Sequence, residues 1–123
     1  MLFLATLTIT ECGNLKDIYN TPALLIASQL GRDDCVAALL LISQADMNEI
    51  NMEGKTALML ASANGHYACV SLLITAHAYI KLTDYDQDTA LILASEFGQY
   101  ICSSKLTAAN ANKNLINDND KLL

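Results

Sequence analysis

Three cysteines at a fixed spacing, two histidines and one run of alternating carboxylates are the groups in this chain with the reach to do chemistry. Cys35, Cys69 and Cys102 lie 34 and 33 residues apart. No Cys-x-x-Cys occurs and no His stands at ligand spacing from a Cys, so the donor pattern of a zinc site is missing. Asp84-Tyr85-Asp86-Gln87-Asp88 imitates the opening of a calcium loop. Its sixth position, which needs Gly, is Thr89, and its twelfth, which needs Glu, is Ser95. A solvated acidic loop is therefore expected there. Nothing suggests a Ser-His-Asp triad, and no Gly-rich loop is built to cradle phosphate. No catalytic residue, metal or cofactor is expected.

The charge balance narrows the partners. The net charge is −6, and the seven Lys and Arg are scattered with no two adjacent. Nucleic-acid binding draws on a concentrated positive footprint, and an anionic membrane surface draws on the same feature. Neither partner is expected. Met1–Ile9 is apolar, but it lacks a basic leader and is interrupted by Thr. No run approaches the roughly 18 apolar residues of a membrane span. With 53% hydrophobic and 16% charged residues in 123, the chain suits one folded domain. These features are those expected of a soluble protein in the reducing cytoplasm.

The cysteine spacing belongs to a larger period. Thr56-Ala57-Leu58-Met59-Leu60-Ala61-Ser62-Ala63-Asn64-Gly65 recurs as Thr89-Ala90-Leu91-Ile92-Leu93-Ala94-Ser95-Glu96-Phe97-Gly98, 33 residues on. An earlier copy runs from Thr21 to Gly31, with one extra residue between Thr21 and Ala27. Gly65–Ile74 matches Gly31–Leu40 and, more weakly, Gly98–Thr107. Similar tails close the copies at Gln44–Asn48, His77–Lys81 and Asn110–Asn114. In each copy Thr suits a helix N-cap and Gly a helix end. Apolar residues at helical spacing, such as Val70, Leu73 and Ile74, mark a second helix. The unit is helix–loop–helix, joined to the next by the polar stretches Asn48–Lys55 and Lys81–Asp88.

This pattern resembles the ankyrin repeat over roughly Asn20 to Lys121, best in Gly54–Lys81. Two departures stand out. The His that follows Leu in the family is Leu25, Met59 and Ile92, and the Pro after Thr survives only as Pro22. The resemblance implies an all-α solenoid of stacked antiparallel helix pairs with β-hairpin-like fingers. It divides the chain into a partial or capping unit (1–17), three repeats (18–50, 51–83, 84–116) and a tail or the start of a further repeat (117–123). His66 then orders a turn rather than acting as a base, while His77 and Asn110 fill a left-handed slot where the family has Gly. Ser103, Lys105 and Thr107, polar where the preceding copy has Val70, Leu72 and Ile74, fit a terminal repeat. A fragment of a longer array is the competing reading.

The register also bears on the cysteines. Stacked equivalents sit on the order of 10 Å apart, beyond the roughly 7 Å between Cα atoms that a disulfide spans. Cys35, Cys69 and Cys102 are therefore expected as small buried apolar residues, with the role of the out-of-register Cys12 open.

Function by resemblance is capture of another protein, without catalysis, on the concave surface formed by fingers and first helices. Carried over by position, the finger slots hold Ile18, Met52 and Tyr85, then Tyr19, Glu53 and Asp86, then Lys55 and Asp88. The ends of the first helices add Leu30, Asn64, Glu96 and Phe97. An apolar row with an acidic rim suits a peptide or helix with neutral or basic flanks. The alternatives are a regulatory or targeting segment of a larger protein, for example one attached to a kinase, and an array that stacks end to end on its own copies rather than remaining a monomer.

Overall fold

The computed structural model describes residue 12, residue 14, residues 21–41 and residues 46–117, with side chains as far as residue 111. Six helices occur among them and no strand: α1 (Ala23–Leu30), α2 (Asp33–Leu40), α3 (Ala57–Ala63), α4 (Tyr67–Thr75), α5 (Ala90–Glu96) and α6 (Tyr100–Asn117). They form three antiparallel pairs. The first helices α1, α3 and α5 pack in one layer, and α2, α4 and α6 in a second.

Local chemistry sets the helix starts. The Thr56 hydroxyl accepts the Met59 amide at 3.3 Å, and the Thr89 hydroxyl accepts the Ile92 amide at 3.2 Å. Each satisfies one of the amides a helix start leaves orphaned. In α1 the extra residue places Pro22 in the cap position, with no side-chain cap. Its carbonyl takes the Leu25 and Ile26 amides instead, at 3.1 and 3.3 Å.

The turn between paired helices depends on a left-handed residue, and Gly31, Gly65 and Gly98 supply it with φ of 77°, 76° and 71°. His77 is left-handed as expected, at φ 70°. Asn110 is not, because α6 continues through it to Asn117. The difference lies in the residues that follow. After His77 the chain turns back, and Ala78 and Ile80 bury against the core. Lys113 stands in the register slot of Ile80, so no apolar anchor draws that tail inward. Extending a helix already nucleated is then the easier course.

The core runs the length of the stack. Leu25, Val36, Leu58, Met59, Val70, Leu73 and Leu106 are all essentially inaccessible. Cys12, Cys35, Cys69 and Cys102 belong to the same core, each at 0–1% exposure.

Candidate partner-binding surface

The two described fingers are built on one plan, 33 residues apart. In the first, Asn51 Oδ1 accepts the Glu53 and Lys55 amides, both at 2.9 Å, and the Asn51 amide donates to the Lys55 carbonyl at 3.0 Å. In the second, Asp84 Oδ1 accepts the Asp86 and Asp88 amides at 2.9 Å, and the Asp84 amide donates to the Asp88 carbonyl at 2.9 Å. The tip needs a left-handed residue in each. Gly54 provides it in the first (φ 79°) and Gln87 in the second (φ 69°). The fingers are stitched to each other by the Tyr85 amide, which donates to the Glu53 carbonyl at 3.1 Å.

Asp84 corrects the expectation of a solvated acidic loop. Its side chain is fully buried, with one oxygen used on the two amides and the other 3.0 Å from Lys55 Nζ. Burial alone would raise its carboxyl. The Asp88 amide, the Lys55 ammonium and the Asp86 amide outweigh that and hold it below the ordinary carboxylate value. Lys55 is raised in turn, first by its hydrogen bond to Asp84. A carboxylate engaged in this way is a structural brace. Among the described residues no group of three or more His, Cys, Asp or Glu is arranged to hold a metal.

The same pair changes the standing of Lys55. Its position in the finger slot suggested a residue facing a partner, but its ammonium is spent on Asp84 and its side chain is only 16% exposed. Asp88 is likewise half-buried. Met52 and Tyr85, by contrast, are 72% and 67% exposed, and Glu53 and Asp86 beside them face solvent. The Tyr85 ring lies over Gly54, so closely that a Cβ there would come within 2.6 Å of it. Gly54 thereby lets one face of the ring rest on the preceding finger while the other stays open.

At the ends of the first helices, Leu30 and Phe97 are 60% and 59% exposed, and Asn64 and Glu96 also face solvent. The Asn64 amide group folds back on its own helix, donating to the Leu60 carbonyl at 2.8 Å. Phe97 follows the last residue of α5, and the Thr89 cap stands at the opposite end of that helix. Ile18 and Tyr19 lie outside the described residues.

His66 is a strut between repeats. Its Nε2 is 3.0 Å from the Gln29 carbonyl of the preceding pair, and since a carbonyl only accepts, that nitrogen carries the proton. Gln99, one period later, donates to the Ala63 carbonyl at 3.1 Å. The expected turn-ordering role therefore extends across the repeat boundary.

The cysteines require one correction. Cys69 and Cys102 are free and buried. Burial pushes the Cys69 thiol up to about 11 and raises that of Cys102, so both are poor nucleophiles. Cys35, in the same slot, is not a plain packing residue. It forms a disulfide with Cys12, their Cα atoms 5.2 Å apart. The distance argument excluded bonds between register equivalents and holds for them. It did not apply to Cys12, which approaches from outside the register.

Helix pairs stacked in two layers, two of the three capped by Thr, turned by left-handed Gly and linked by braced fingers define a helical solenoid. The model of ankyrin repeats, in three copies, matches residues 24–117, and the chain belongs to that family. Ankyrin repeat protein YahD of Escherichia coli (strain K12) is 44% identical over 69 residues. The match covers 55% of this chain and 34% of that protein, so the chain spans about a third of the relative's length. Arrays of this family generally serve as protein–protein interaction modules. No helix among the described residues is long and apolar enough to cross a membrane.

Proposed function

We propose that this array is a non-catalytic adaptor that captures a segment of another protein on its finger and first-helix surface, as a monomer and in the cytoplasm. The observation that carries the reading is the pair Met52 and Tyr85, large apolar side chains held open on successive fingers. Their backbone is fixed by the Asn51 and Asp84 brackets, so little ordering entropy is lost when a partner docks.

The electrostatics select the flanks of that partner. Glu53, Asp86 and Glu96 face solvent around the apolar groups, and the nearby cation Lys55 is neutralised by Asp84. A segment with apolar side chains and Lys or Arg beside them is complementary. The second foothold is Phe97, with Leu30 in the equivalent slot of the first pair. The division into repeats at 18–50, 51–83 and 84–116 is part of this proposal.

The test is selection from a displayed random peptide library on the intact chain, followed by affinity measurement on the double variant Tyr85→Ala/Phe97→Ala. Selected peptides are expected to be apolar with basic flanks. They should weaken as salt rises and lose roughly 30-fold or more in affinity on the double variant, on the order of 2 kcal/mol. Acidic selected peptides, or full binding by a double variant that keeps its helicity, would overturn the reading.

A further inference from the structure

Three cysteines share one repeat slot, and only Cys35 is oxidised. The other two show what the slot requires for packing: a small apolar side chain, fully enclosed. Packing alone therefore does not explain a bond at Cys35. What distinguishes it is Cys12, which lies outside the repeat pattern and is itself buried in the core. The bond joins residues 23 apart and ties Cys12 to α2. We propose that Cys12–Cys35 is a redox-controlled clamp on the N-terminal end of the stack, closed when oxidised and released by a dithiol reductant.

The chemistry balances as a two-electron thiol–disulfide exchange. A thiolate of the dithiol attacks Cys12 Sγ, forming a mixed disulfide and breaking the bond to Cys35, whose sulfur leaves as a thiolate and takes a proton. The second thiol of the reductant attacks the mixed disulfide. The reductant departs as a disulfide, and Cys12 becomes a thiol. Both sulfurs belong to residues at 0% exposure, so the exchange follows a local opening of that end. Cys69 and Cys102 do not divert it, because thiols raised by burial hold little thiolate with which to reshuffle the pair.

The location matters because stability in a stacked array is carried by contacts between neighbours. Cys35 lies in α2, which packs on α1 and on α4. Release at this end is therefore felt most by α1 and α2 and little by α5 and α6. A disulfide in a reducing compartment is characteristically transient and sensing, which fits a clamp of this kind to the cytoplasmic placement proposed above.

The experiment equilibrates the intact chain in mixtures of reduced and oxidised dithiothreitol of graded ratio, traps thiols with alkylating agent under denaturing conditions, and counts them by mass. Two thiols are expected at the oxidised end and four at the reduced end. Reduction should lower Tm by roughly 10 °C. Amide exchange in Ala23–Leu30 should rise at least tenfold, with less than a twofold change in Ala90–Glu96. The Cys12→Ser variant should match the reduced protein with or without a dithiol. Four alkylatable thiols at every buffer ratio would overturn the clamp. So would exchange that rises equally along the stack, or a Tm unmoved by reduction.

Discussion

The first helices of the second and third pairs are nearly the same in sequence, and the two pairs differ in what covers them. Met59 is 1% exposed, and its equivalent one period later, Ile92, is 45% exposed. Ser62 is fully buried while Ser95 faces solvent. Leu58 is closed over, but its equivalent Leu91 is half-buried and lines an open recess of about 260 Å³, together with Ile80, Lys81, Thr89, Leu106 and Asn110. Burial in this fold is thus a property of position in the stack more than of the residue. The caps and the turn glycine, which need no neighbour, are the same in both pairs.

The largest expected effect separates the two pairs by burial. Met59→Ala removes an enclosed side chain between α3 and its neighbours and should cost about 3 kcal/mol. Ile92→Ala should cost roughly 1 kcal/mol or less, because half of its surface is already wet. Denaturant midpoints of the two variants check this, and equal losses would show that the end of α5 is covered in solution.

The fingers give the next contrast. Asn51 and Asp84 do the same bracketing, but only Asp84 adds a buried charge pair. Asp84→Ala leaves two amides and the Lys55 ammonium without an acceptor and should cost on the order of 3 kcal/mol. Asn51→Ala loses only neutral bonds and should cost about 1–2 kcal/mol. The pH dependence has a definite sign. Asp84 is depressed when folded, so its contribution is present above the ordinary carboxylate value and fades as pH falls through the lower folded value. Lys55 is raised, so its contribution is present below the ordinary lysine value and fades as pH rises through the higher folded one. Urea midpoints across pH should show the acid loss in the wild type, and it should shrink in Asp84→Asn.

These contrasts also show what the sequence could carry. The 33-residue period specified the helix pairs, the Thr caps and the Gly turns, because those depend on residues within one unit. It misjudged features that depend on a residue in another unit or outside the pattern. Asp84 reads as solvated until Lys55 of the preceding finger is placed beside it. Cys35 reads as inert until Cys12 arrives from out of register. Gln87 went unnoticed because its left-handed backbone is inherited from Gly54, and no side-chain preference announces it. The helix through Asn110 depended on a missing apolar residue three positions later.

The turn glycines extend the comparison to a smaller effect. A Cβ on Gly31 would meet the His66 ring at 2.5 Å, and one on Gly65 would meet the Gln99 carboxamide at 2.4 Å, whereas one on Gly98 would meet nothing within 4 Å. Gly98→Ala therefore isolates the backbone cost of a left-handed residue, about 1 kcal/mol. Gly31→Ala adds displacement of His66 and loss of its bond to the Gln29 carbonyl, for a total of about 2 kcal/mol. Thermal melts of the two variants should separate them accordingly.

The smallest effect reverses sign. His77 holds φ 70° with an exposed side chain, so its only described service is the turn itself. Gly adopts that conformation without the Cβ penalty, and His77→Gly should stabilise the array by about 0.5 kcal/mol after the entropy lost by a freer unfolded chain. The same change at Asn110 should do the opposite. There the backbone is α-helical, and Gly in a helix interior costs about 1 kcal/mol. Measuring both variants by denaturant titration tests whether the two tails differ in solution as they do in the fold. Stabilisation at both sites would mean that α6 ends before Asn110 and that the third pair closes as the second does.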